Sequence, residues 1–461
     1  MKHTGGESHT YGKPTTLFVT AISIAALCAL LLAQQKPAST APQAPTTADK
    51  INITNAQRMV DQGRHIFRFD TFGSETLWGD ALQLHKAIAG EENGGIGPGV
   101  SPKTALSVGL KVDVDALPAD LVASLKAGKV NLDDPATTLA LLKLNSVVGV
   151  TAFFDQPGKI KSMGIQCSFC HSTVDDSLAP GIGHRLDGWP NRDLNVGAIV
   201  SLAPNLKPFT DMLGVDETTV KKVFASWGPG CFDAELDKDG KGLRPDGKRA
   251  CTLIPPAYGL AGVNLHTWTG FGSVPYWNAY VGIGEMHGVG TFFDARLNDA
   301  KQFPVSAKTG SWNVRGKPDQ LTAKLPALHF YQLAIPAPAP AKGSFNAEAA
   351  ARGRTTFEGK GKCATCHVPP LYTEPGNNLH APAEVCVDSF QADRSPTHMY
   401  RTAPLGGLWS HQTRGFYHDG RFATLNDVVG HYESCMKLGL TDPEKADLAE
   451  FLKSLPAASQ P

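Results

Sequence analysis

A mainly α-helical fold, divided into two loop-rich domains, is what this chain predicts, and three observations predict it. Apolar residues recur at helical spacing in several stretches, while strand signals are sparse. The sequence carries 47 Gly and 33 Pro, so its packing must be organised around something other than long regular elements. One pattern, Cys-x-x-Cys-His, occurs at Cys167 and again at Cys363, once in each half.

Along the chain, residues 17–33 (LFVTAISIAALCALLLA) form one apolar run preceded by Lys2 and Lys13. They read as an export signal or an N-terminal membrane anchor. Leu31 fits poorly at a small-residue cleavage site, which favours the anchor. A Pro/Ala/Thr linker extends to about residue 50, so 1–50 is targeting and tether. Residues 55–90 then predict helix, turn, helix; 118–128 and 133–147 predict further helices, the latter starting at Asp133-Asp134-Pro135. The stretch 172–362 is long and rich in Gly, Pro, Trp and Tyr, as pocket walls are. Alternating Pro-Ala at 335–341 marks the sharpest boundary, giving one domain over 51–335 and a second over 336–461. The second opens on an Asn346-capped helix and closes on a helix from Thr441-Asp-Pro.

Composition removes several functions. The chain has 461 residues, 42% hydrophobic and 19% charged, with Lys plus Arg and Asp plus Glu both at 43. That is ordinary globular composition. Zero net charge gives no footprint for nucleic acid and no whole-molecule steering of a partner.

Cys167-Ser-Phe-Cys170-His171 and Cys363-Ala-Thr-Cys366-His367 carry the chemistry. Two thiols three positions apart can form thioethers to both vinyl groups of one porphyrin, and the next imidazole falls beneath the iron. Zinc would want a second Cys or His pair, and a dithiol redox site would not need the His. Two covalent c-type haems are therefore expected, with His171 and His367 as proximal ligands, outside the cytoplasm. Terminal helices bracketing a loop-enclosed haem are the plan of a cytochrome c domain, so each haem is expected in its own domain. One further cysteine, Cys28, lies in the apolar run, leaving Cys231, Cys251, Cys386 and Cys435. Of three connectivities, Cys231 with Cys251 and Cys386 with Cys435 keep each bridge inside one domain.

The run from Tyr400, YRTAPLGGLWSHQTRGFYHDGRFATLNDVVGHY, resembles the second-domain signature of the bacterial di-haem cytochrome c peroxidase superfamily. The long inter-motif spacing is similar to that of the haem-dependent rubber oxygenase subgroup. Trp277 and Phe292 fall at positions matching an aromatic pair near that subgroup's active haem. The resemblance implies Tyr432 as distal ligand of the second haem, with His431, His418 and Met436 as alternatives. For the first haem no distal ligand stands out. An open pocket is expected instead, lined from Trp277, Glu285, His287, Phe292 and Phe293, with His266 and Trp268 nearby; a carboxylate or imidazole there could move a proton. His184 and Arg185 are candidates to hold a haem propionate.

Glu235 to Asp246 places acids at positions 1, 3, 5 and 12 with Gly240 at 6, as a calcium loop would, but Pro245 blocks an exiting helix, so a solvated acidic turn is the preferred expectation and a bound Ca2+ the alternative. The functional expectation is an extracytoplasmic, periplasmic redox enzyme. It reduces peroxide at the first haem and takes electrons through the second from a small redox protein or quinol-linked cytochrome. The alternatives are an oxygenase of an apolar substrate and a non-catalytic electron-transfer cytochrome.

Overall fold

The computed structural model describes residues 44–156, 158–411 and 413–456, so the apolar run at 17–33 lies outside the described residues. By contacts the chain falls into a segment ending at Asn55 and a compact unit from Ala56 onward. The fold is mainly helical. Strands are short and occur among the described residues only as two-stranded pairs.

Helix α1 (Thr47–Phe69) begins inside the stretch read as tether, and its inner end buries Phe67. Short helices at 84–89, 119–126 and 135–143 follow, the last capped by Asp134 as its sequence predicts. A hairpin of β1 (Val150–Phe154) and β2 (Ile160–Ile165) delivers the chain to Cys167. One helical turn, α2 (Ser168–His171), then carries the first motif. Gly149 makes this approach possible: its φ is +85°, and a Cβ there would lie 2.2 Å from the Phe169 Cα.

The inter-motif stretch holds β3 (Cys231–Phe232), the single turn α3 (Leu236–Asp239), β4 (Thr252–Leu253), α4 (Val274–Tyr280) and α5 (Leu325–Ala334). It contributes Trp227, Trp277, Tyr280, Phe303 and Leu328 to one large core that also contains the first motif's surroundings. After the Pro-Ala segment come α6 (Ala347–Glu358), the second motif, α7 (Leu425–Met436) and α8 (Asp442–Lys453). These build a separate apolar core around Phe357, Tyr372, Val429 and Phe451. Helices α6 and α8 cross closely because position 353 is Gly: a Cβ there would sit 2.0 Å from the Asp447 carbonyl oxygen. Arg352 seals the crossing with a two-pronged pair to Asp447 at 2.7 Å. Asn346 and Thr441 cap these helices as expected.

Polar contacts lock the smaller core onto the larger. Arg394, 1% exposed, reaches Asp239 at 2.7 Å, Asp233 at 2.9 Å and the Ala250 carbonyl at 3.0 Å. The Leu253 amide donates to the His418 carbonyl at 2.6 Å, and the Tyr258 hydroxyl donates to the Gly407 carbonyl at 3.1 Å. Trp409 donates to the carbonyl of Pro338, pinning the Pro-Ala segment. Disulfides join Cys231 to Cys251 and Cys386 to Cys435, the pairing expected from sequence.

The calcium reading does not survive. Glu235 pairs with Lys238 at 2.8 Å, Asp237 accepts the Tyr280 hydroxyl at 2.7 Å, and Asp239 holds Arg394. Asp246 lies apart, beside Lys248 and Arg244. The acids that matched a calcium loop already have cations or a phenol as partners, so they cannot converge on an ion.

Two outcomes test this account of the junction. Arg394→Met leaves two buried carboxylates unpaired and should cost about 3–5 kcal/mol in urea unfolding. Asp388, facing Arg244 and Arg421, is held down to about 2 by hydrogen bonds and charge from both arginines. Its contribution is therefore complete above the ordinary carboxylate value and fades as pH falls from about 4 toward 2. Asp388→Asn should flatten the stability profile in that window only.

Candidate functional site

Each Cys-x-x-Cys-His motif forms the wall of a cavity. The first, about 1480 Å³ with its mouth included, is lined by Cys167, Cys170, His171 and apolar groups such as Trp78, Phe169 and Met286. The second, about 1690 Å³ on the same basis, is lined by Cys363, Cys366, His367 and by Phe357, Leu408 and Tyr432. Pro255, Pro256, Trp268 and Arg401 line both cavities, so the two sites share a wall.

Both histidines are oriented by backbone. The Nδ1 of His171 lies 3.1 Å from the Pro255 carbonyl, and that of His367 lies 3.0 Å from the Tyr372 carbonyl. An Nδ1–H donated to a carbonyl leaves Nε2 with the lone pair, as a metal-ligating imidazole needs. The four motif cysteines are free thiols. Burial pushes Cys167 and Cys170 up to about 12 and Cys363 up to about 11, the opposite of the activated thiolate of a dithiol redox site. Zinc fits no better. The one potential metal-binding group among the described residues is Cys366, Glu374 and His380, whose acid and imidazole already pair at 2.6 Å. Two thiols, an oriented imidazole and a large mostly apolar cavity fit a covalently attached haem at both motifs.

The sequence-predicted residues divide around the first cavity. Trp277, Glu285, His266 and Trp268 line it, whereas Phe292 and His287 do not. Phe292 packs behind, against Tyr276 and Tyr280 with ring centres 5.7 and 5.3 Å away. At His287 the backbone turns left-handed, φ 56°, and the chain folds back so that the Gly288 amide reaches the Gly282 carbonyl. Closeness in sequence to Glu285 therefore does not bring His287 to the cavity. Phe293 is exposed, beside Trp312.

Glu285 and Trp277 are among the polar groups that line this cavity. The Oε1 of Glu285 and the Nε1 of Trp277 are both buried without a hydrogen-bond partner. Burial, then the charge of Asp237, push the Glu285 carboxyl well above its ordinary range, with Lys238 opposing. Both effects favour its protonated form. Lys238, wholly buried, sits with its ammonium 5.3 Å from the ring centre of Trp277 and 4.3 Å from that of Tyr280.

Around the second cavity, Tyr432, His418 and Met436 are lining residues and His431 is not. His431 turns away, its Nε2 3.0 Å from the Val385 carbonyl. His418 is 4% exposed, and its Nε2 has no hydrogen-bond partner. The propionate candidates are otherwise engaged: Arg185 holds Asp113 at 3.0 Å and His184 is exposed on Asp115. Sequence reasoning missed Arg192 and Gln391, single polar residues in loops with no motif around them, and gave no role to Arg401, although it lies in the signature run that begins at Tyr400.

No family model and no curated protein matches the chain. Among solved structures it is similar to a MauG-like protein associated with microbial copper homeostasis, at 18% identity and TM-score 0.31, covering 46% of this chain and 76% of that one. A second is Kuenenia stuttgartiensis hydrazine synthase, at 18% identity and TM-score 0.26, covering 49% of this chain and 76% of that one. Similarity at this level carries no argument about the reaction.

Proposed function

We propose that this chain is a di-haem c-type redox enzyme that reduces peroxide at the first cavity and accepts electrons at the second. The observation that carries the reading is the pair of cavities, each walled by a Cys-x-x-Cys-His motif, that share Trp268. When bound, haem would supply the redox-active iron at each site.

The chain's own residues supply the rest. Glu285, buried and unpartnered at the first cavity with its protonated form favoured, is the group that can hand a proton to a peroxide oxygen and take it back. Mostly apolar walls lower the dielectric around that exchange. Trp268, fixed by its Nε1–H to the Leu253 carbonyl at 3.0 Å, is the aromatic group best placed between the sites. Trp277 is less suited to holding a cation radical, because the Lys238 ammonium over its face opposes positive charge on the ring. Its role is to shape the cavity.

At the second cavity His418 is the distal ligand we favour, since its buried Nε2 otherwise lacks a partner; Tyr432 is the second reading because it lines the same cavity. Both disulfides favour an oxidising, extracytoplasmic compartment. The mostly apolar lining of the first cavity supports one other reading, an oxygenase of an apolar substrate.

The experiment that tests the reading is a pyridine haemochrome assay with intact mass, expecting two covalent haems, followed by peroxide addition monitored by EPR. Two low-spin ferric signals that peroxide leaves unchanged, before and after partial reduction, would exclude the peroxidase. An oxygen-bound spectrum as isolated would favour the oxygenase. Glu285→Gln should lower kcat for peroxide about 10²- to 10⁴-fold with haem content intact. In the parent enzyme kcat should fall as pH rises through the elevated Glu285 value. In stopped-flow reduction Trp268→Phe should slow transfer between the haems more than Trp277→Phe does. His418→Gln should convert the second haem to high spin, and Tyr432→Phe should leave it unchanged.

A further inference from the structure

Among the described residues, four buried cations follow one rule, and two others, the buried Arg192 and the partly buried Arg401, break it. Lys238 is paired with Glu235, Arg394 with Asp233 and Asp239, Arg185 with Asp113, and Lys111 with Asp193. Arg192 and Arg401 have no such partner. Arg192 is 5% exposed, its Nε and Nη1 have no hydrogen-bond partner, and it lines the second cavity. Arg401 lines both cavities; its Nε donates to the Thr267 carbonyl and its Nη1 to the Leu265 carbonyl at 2.7 Å. No acid acts on either guanidinium, and burial alone or nearly alone pulls both down to about 10.

A desolvated guanidinium without a counter-ion is costly, and it persists where an anion is to be received. The polar ends of a haem are two carboxylates. We propose that Arg192 and Arg401 are the carboxylate-binding residues of the two cofactor cavities: Arg192 receives a propionate of the second haem, and Arg401, in the shared wall, faces the propionates of both. This rests on the di-haem reading above. It assigns to these two arginines the role that sequence reasoning gave to Arg185, which Asp113 already neutralises.

The test is a potentiometric titration of the holoprotein, with EPR resolving the two haems. Removing a nearby positive charge favours the ferric state, so Arg192→Gln should lower the potential of the second haem alone and Arg401→Gln should lower both. Arg192→Lys and Arg401→Lys, which keep the charge and the fold, should recover most of each shift. Potentials unmoved in the Gln variants at full haem content would overturn the proposal. So would a wild-type potential that varies with chloride or phosphate concentration at fixed ionic strength, since a diffusible anion would then be the occupant. If a Gln variant does not accumulate, the Lys variants decide, because unchanged potentials with altered propionate bands in resonance Raman support the contact and unchanged bands refute it. A haemochrome assay without haem would instead sink the underlying reading.

Discussion

The buried guanidinium of Arg394 is the interaction on which the arrangement depends. It comes from the sequence after the second motif and ends between Asp233 and Asp239, in the loop that walls the first. Such a pair contributes little net stability, because desolvating three charges offsets most of their attraction. Its value is registration. A guanidinium with two N–H edges occupied by carboxylates accepts one placement, and a shift in either loop would strand a charge. The Cys231–Cys251 bridge restrains the same loop from below, closing it over a separation of 20 residues. With that loop fixed, Leu253 can hold Trp268 on one side and the His418 carbonyl on the other. The shared wall between the cavities follows from these contacts.

What was legible in sequence was whatever is local. The Cys-x-x-Cys-His motifs, the caps at Asp134, Asn346 and Thr441, and the helices they open are decided within a few residues of chain. The two disulfides were legible as a proposal because each closes inside one part of the chain. The distal sides were not legible. Glu285 and His287 are two residues apart, yet one enters the cavity and the other follows a left-handed turn out of it. Trp277 and Phe292 share a neighbourhood but only Trp277 reaches the lining, because Tyr276 and Tyr280 stand between. The acidic run at 235–239 showed the opposite failure: its spacing imitated a metal loop, while its partners, Tyr280 and Arg394, come from distant sequence.

The two cavities also differ in electrical character, and the difference suits a division of labour. The first presents a buried carboxyl, Glu285, whose protonated form is favoured, and keeps the nearby ammonium of Lys238 bound to Glu235. A site of that kind can exchange a proton, and the one cation without an acid partner that it shares with the second cavity is Arg401. The second faces Arg192 and Arg401, two cations without acids. Positive charge in a low-dielectric site favours the reduced state of whatever redox centre it surrounds. On the proposed reading, electrons would rest more readily at the second cavity and be drawn across Trp268 when chemistry at the first demands them. Arg401 faces both sides of that wall, so its charge acts on both ends of the transfer. The carboxylates that neutralise it therefore help set the driving force between the two sites.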